Sequence, residues 1–79
     1  MKKILKEILT EVFDAKATEI TENSTNEDIS SWDSLTQMDL VTSLENEFDV
    51  QLEILEIVSL TSVKKIIETL EDKGIKFDE

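Results

Sequence analysis

The chain has 79 residues, 39% hydrophobic and 34% charged, with 19 acids against 8 basic residues and a net charge of −11. This is the balance of one small globular domain, residues 1–79, with a modest core and no room for a deep catalytic cleft with lids. The charge repels nucleic-acid phosphates, and the absence of Cys and His excludes disulfides, the usual zinc sites and a Ser-His-Asp hydrolase.

Residues 2–14 read as the first helix, because Ile4, Leu5, Ile8, Leu9, Val12 and Phe13 recur at helical spacing. A polar connection follows over 15–32, rich in Thr, Ser, Asn, Asp and Glu. A loop this long needs anchors, and Ile20, Ile29 and Trp32 are its large apolar residues. The second helix spans 34–48, with Ser34 and Gln37 at capping-box spacing. Residues 53–58 are read as a short third helix; the alternation of Val50, Leu52 and Ile54 also fits a strand, but a lone strand has no partner. Thr61 is the expected cap of a fourth helix with Val63, Ile66, Ile67 and Leu70 inward, and Gly74 its expected terminator. The tail 75–79 is expected to fray, with Ile75 able to pack back. The predicted fold is all-α, a small four-helix bundle of three principal helices plus a short third.

No apolar run approaches the roughly 18 residues of a membrane span. No basic-then-apolar leader precedes a small-residue cleavage site, so a cytoplasmic protein without membrane attachment is expected. The acids between Glu22 and Asp28 lack the spacing and central Gly of a calcium loop, and no metal site is expected.

The most informative stretch runs from Trp32 to Phe48. On a helical wheel Leu40, Val41, Leu44 and Phe48 share the core side. Leu35 and Met38 lie well off it, beside Ser34, Asp39, Thr42, Glu45 and Asn46. A serine thus stands at a helix start, flanked by apolar groups that core packing does not explain and by a ring of acids. With no imidazole to activate it, Ser34 reads as a residue to be modified, not a nucleophile, and no enzymatic activity is expected.

The Asp33-Ser34-Leu35 triplet, the helix after it and its Leu44-Glu45-Asn46-Glu47-Phe48 end resemble the acyl carrier protein family over almost the whole chain. The resemblance implies that Ser34 carries 4′-phosphopantetheine, whose thiol holds an acyl or aminoacyl cargo as a thioester. It implies a role for Asp33 beside the metal ion used in transfer from coenzyme A. Partners would be a phosphopantetheinyl transferase and an acyl or aminoacyl ligase, acyltransferase or ketosynthase. They would dock on Leu35, Met38, Asp39, Thr42, Glu45 and Glu47 of a monomer. A cargo pocket would lie between the second and third helices, lined by Leu44, Leu52, Ile54, Ile57, Leu60 and Val63. Bulky groups on the third helix point to a small pocket and a short or polar cargo.

The chain also departs from the family pattern. Ser30, Ser31 and Trp32 precede the triplet where a Gly is usual. Thr36 and Asn46 stand where fatty-acid carriers often have acids, and the third helix is apolar where theirs is acid-rich. A specialised carrier fits these departures at least as well as a housekeeping one in fatty acid synthesis. An acidic helical adaptor for a basic protein, without a prosthetic group, also accounts for the charge and the Leu35/Met38 patch. Only the carrier requires Ser34 at the helix start.

Overall fold

The computed structural model describes residues 3–77. Four α-helices occur in the order α1 (Lys3–Phe13), α2 (Ser34–Phe48), α3 (Ile54–Val58) and α4 (Val63–Asp72), with a single 3-10 turn at Ala17–Glu19. Residues 54–58 are therefore helical and not a strand, with Glu53 as their extended N-cap; among the described residues the one β feature is an isolated bridge between Thr25 and Ser62. Lys2, expected in the first helix, and Asp78 and Glu79 of the tail lie outside the described residues.

Each long helix buries one stripe. Leu5, Leu9 and Phe13 recur every four residues on α1, and Leu40, Val41 and Leu44 face them from α2. Val63, Ile66, Ile67 and Leu70 close the core from α4. Ile4, Ile8 and Val12 broaden the sequence stripe of α1 but stay at its rim, with Ile4 exposed. α3 buries no residue completely.

The long connection is held at several points. Ile20, Ile29 and Trp32 are buried, as their isolation in a polar segment predicts. Trp32 stacks on Phe13 with ring centroids 4.7 Å apart. The Ser31 hydroxyl donates to the Phe13 carbonyl at 2.6 Å, satisfying an acceptor at the end of α1. Further along, the Asn26 N–H donates to the Thr61 carbonyl and the Val63 N–H to the Ser24 carbonyl. The loop is thereby stitched to both the end of α1 and the start of α4.

Helix ends differ in detail from the sequence expectation. Asp33, not Ser34, is the N-cap of α2, and its carboxylate accepts from the N–H groups of Leu35 and Thr36. Ser62, not Thr61, caps α4 by accepting from the Lys65 N–H. Gly74 follows α4 with φ +93°, the left-handed conformation a glycine adopts without Cβ strain. Asp14 and Asp49 take similar positive φ values after α1 and α2. The tail does not fray between 75 and 77: the Ile75 N–H bonds the Leu70 carbonyl, and Phe77 meets Phe48 edge-on at 5.8 Å. The apolar rings at Phe48 and Phe77 supply the burial that a polar tail would lack.

Among the described residues one ion pair forms, Lys73 to Glu56 at 2.8 Å. Most acids have no cationic partner and repel one another. The melting temperature should therefore rise with added sodium chloride, and further with magnesium. Thermal denaturation followed by circular dichroism over a salt series checks this, and a melting temperature indifferent to both would contradict it.

Candidate functional site

Ser34 is the first helical residue of α2, exposed to solvent, and takes no part in capping. The reason lies in its neighbours. Asp33 has extended backbone angles, φ −122° and ψ −170°, that turn its side chain onto the free N–H groups. The Asp33 N–H donates in return to the Thr36 hydroxyl at 2.8 Å, and that hydroxyl donates to the Ser31 carbonyl at 2.6 Å. Asp33 and Thr36 together complete a capping box. The Ser34 hydroxyl is left free at a rigid helix start.

The same bonds set the charge of Asp33. The Thr36 N–H above all, aided by the Thr36 hydroxyl and the Leu35 N–H and opposed by partial desolvation, holds its carboxyl below the ordinary value. Asp33 thus stays ionised directly beside the Ser34 hydroxyl.

Gln37, expected to cap with Ser34, does something else. Its amide oxygen accepts from the Trp32 indole N–H at 2.6 Å. Its amide nitrogen donates to the carbonyls of Ile57 at 2.8 Å and Leu60 at 3.3 Å. One side chain thus ties α2 to the end of α3 and to Trp32. Beside it lies an open groove of about 270 Å³, bordered by Ser34 and Asp33 on one side and by Val58, Leu60 and Thr61 on the other. Asn26, Trp32 and Gln37 complete its lining.

Of the expected docking residues, Leu35 and Met38 are 78% and 54% exposed. Asp39 and Thr42 are also exposed, with the Thr42 hydroxyl bonded back to the Met38 carbonyl. Two others are placed differently. Glu45 is half-buried, and its carboxylate accepts from the Leu52 N–H at 2.9 Å, which organises the turn after α2. Glu47 borders a groove against Ile8, Glu11 and Val12 of α1, away from Leu35. Three exposed apolar residues of α3 were not singled out for this surface: Ile54, Leu55 and Val58, at 76%, 81% and 65% exposure. The one available signal was that a five-residue helix cannot bury every group of Ile-Leu-Glu-Ile-Val.

The expected cargo pocket is not assembled as a set. Ile54 points to solvent, since a helix this short presents one inward face and Ile57 occupies it. Leu44, Leu60 and Val63 are packed in the core at 2% exposure or less, and Leu52 is buried beside them. The described residues contain no cluster of acids, Cys or His able to hold a metal ion.

The frame is thus a small helical bundle with Ser34 exposed at the head of α2. Residues 3–70 match the family described as phosphopantetheine attachment site, and the chain belongs to it. It is 29% identical to an acyl carrier protein of Buchnera aphidicola subsp. Schizaphis graminum (strain Sg), over 96% of each chain. It is 31% identical to an acyl carrier protein of Buchnera aphidicola subsp. Acyrthosiphon pisum (strain 5A), over 91% of this chain and 90% of the other. Its prosthetic group is covalently attached 4′-phosphopantetheine, and carriers of this kind work with a phosphopantetheinyl transferase and with acyl-handling enzymes.

The Asp33 cap gives a pH prediction. Its folded-state pKa lies below the unfolded value. The ionised carboxylate therefore stabilises the fold above the unfolded pKa, and that contribution is lost as pH falls through the depressed folded one. Asp33→Asn retains a cap without the charge. The melting-temperature gap between wild type and Asp33→Asn should shrink on acidification below the ordinary carboxylate range. A gap that stays constant would show that charge is irrelevant to the cap.

Proposed function

We propose that Ser34 is the residue that carries 4′-phosphopantetheine and that the chain is a non-catalytic acyl or aminoacyl carrier. One observation carries this reading: Ser34 stands at the first position of α2 with its hydroxyl exposed and released from capping by Asp33 and Thr36. When attached, the group supplies a thiol on a flexible arm that holds cargo as a thioester. The residues present fit it. Ser34 is exposed and borders the groove, and the positive end of the α2 dipole favours a phosphate there. An acidic adaptor without a prosthetic group would leave the position of Ser34 without a role.

Partner enzymes dock over Leu35, Met38, Asp39 and Thr42, with Ile54, Leu55 and Val58 of α3 extending the apolar part. Apolar anchors supply affinity and the acids steer encounter with basic enzyme surfaces. The apolar α3 supports a specialised carrier with its own loading enzyme over a housekeeping one. We take it to act as a monomer in the cytoplasm.

Ser34→Ala should fold as wild type does and gain no mass on incubation with coenzyme A, magnesium and a broad-specificity phosphopantetheinyl transferase. Intact mass spectrometry reads the outcome; modification of the Ala variant, or none of the wild type, refutes the assignment. Met38→Ala and Asp39→Lys should slow modification with an unchanged circular dichroism spectrum, and added salt should slow the wild type by screening over about 8–10 Å. Wild-type rates in both variants would place docking on another face.

A further inference from the structure

The groove beside Ser34 and the Gln37 contacts beneath it bear on where an attached cargo goes. The groove has mixed character. Val58 offers apolar surface, and Asn26 and Thr61 offer an amide and a hydroxyl. Asn26 and Thr61 are exposed, and their backbones are bonded to each other, Asn26 N–H to Thr61 carbonyl at 2.9 Å. Their side-chain polar atoms make no hydrogen bond within the described residues, so they are available to a ligand. The Trp32 indole borders the same space.

The way inward is closed. A chain leaving Ser34 for the interior must pass between α2 and α3. Gln37, one turn along α2 from Ser34, spans that seam with bonds to the Ile57 and Leu60 carbonyls and to the Trp32 indole. Opening the seam takes the Ile57 and Leu60 carbonyls away from the Gln37 amide together. Behind it Leu44, Leu60 and Val63 are packed to 2% exposure or less. A closely packed interior has no space for an added alkyl chain without displacement of these side chains.

Resting on the carrier reading above, we propose that the arm on Ser34 and a short cargo seat outside the bundle, in the groove lined by Asn26, Trp32, Gln37, Val58, Leu60 and Thr61. Gln37 is the positioning residue that bars passage between α2 and α3. The cargo class is a short acyl group bearing an amino or hydroxyl substituent, matched to the Asn26 amide and the Thr61 hydroxyl. A long alkyl chain in an open groove stays wet, so its stabilisation does not accumulate with length as burial would make it.

The test loads the full chain with phosphopantetheine bearing acetyl, β-alanyl or decanoyl groups. Intact mass confirms attachment first; failure to gain mass refutes the carrier reading itself, and the groove proposal with it. On loaded protein the readouts are backbone amide shifts, emission of Trp32, the sole tryptophan, and melting temperature. In wild type, shifts should cluster at Asn26, Gln37 and Thr61, the Trp32 emission should move, and decanoyl should not raise the melting temperature above acetyl. In Gln37→Ala, decanoyl alone should raise it, with shifts spreading to Leu44 and Val63. Gln37→Met, which keeps the volume without the donors, serves if the Ala variant does not fold. Thr61→Phe, at an exposed position, should fill the groove and abolish the shift at Asn26 and the Trp32 response. A wild type whose melting temperature climbs with chain length, or whose shifts lie in the core, overturns the proposal. So does a decanoyl response identical in wild type and the Gln37 variants.

Discussion

Gln37 bonds three polar groups at once: the Trp32 indole N–H, the Leu60 carbonyl, and the Ile57 carbonyl, which also accepts from the Leu60 N–H. The two carbonyls lie at the end of α3, where intrahelical partners run out. Trp32 in turn stacks on Phe13 at the end of α1. A chain of contacts therefore links α1, the loop, α2 and α3 through one amide. α3 buries no residue completely and depends on such ties, together with the Glu56–Lys73 pair to the end of α4. The Glu53 N–H bonds the Glu56 carboxylate and, with Lys73, holds its pKa below the ordinary value.

The start of α2 shows how a serine hydroxyl at a helix start is kept exposed. A serine at a helix start ordinarily closes on the backbone as a cap. Here Asp33 takes that place one residue earlier and Thr36 completes the box. The helix start is then rigid without any contribution from Ser34. Capping and availability are separated onto different residues, which leaves the Ser34 hydroxyl accessible.

The surface around this point carries an unusual apolar content for an acidic chain. Leu35 and Met38 on α2 and Ile54, Leu55 and Val58 on α3 all face solvent. Val58 and Ser34 border the same groove, which places the end of α3 beside the serine. The net charge of −11 opposes self-association of such a surface through mutual repulsion. It leaves the apolar groups open to a partner of opposite charge.

Periodicity in the sequence determined the helices and their inward faces, because a 3.6-residue repeat of Leu, Ile, Val and Phe has one stable way to hide in water. It also placed Ser34 at the head of α2, left Leu35 and Met38 outside the core, and marked Gly74 as a terminator, where a left-handed residue is needed. Capping was not legible to the residue: whether Asp33 or Ser34 bonds the free N–H groups turns on backbone angles set by Ser31 and Trp32 packing on α1. The role of Gln37 was hidden for a different reason. Its partners at Trp32, Ile57 and Leu60 are up to 23 positions away, and local spacing carries no information about them. The same holds for the solvent-facing Ile54, for Glu45 drawn into the Leu52 turn, and for a tail held by Phe77 against Phe48. A residue's apolar character states that burial is favourable, and only the packed tertiary structure decides which residues obtain it.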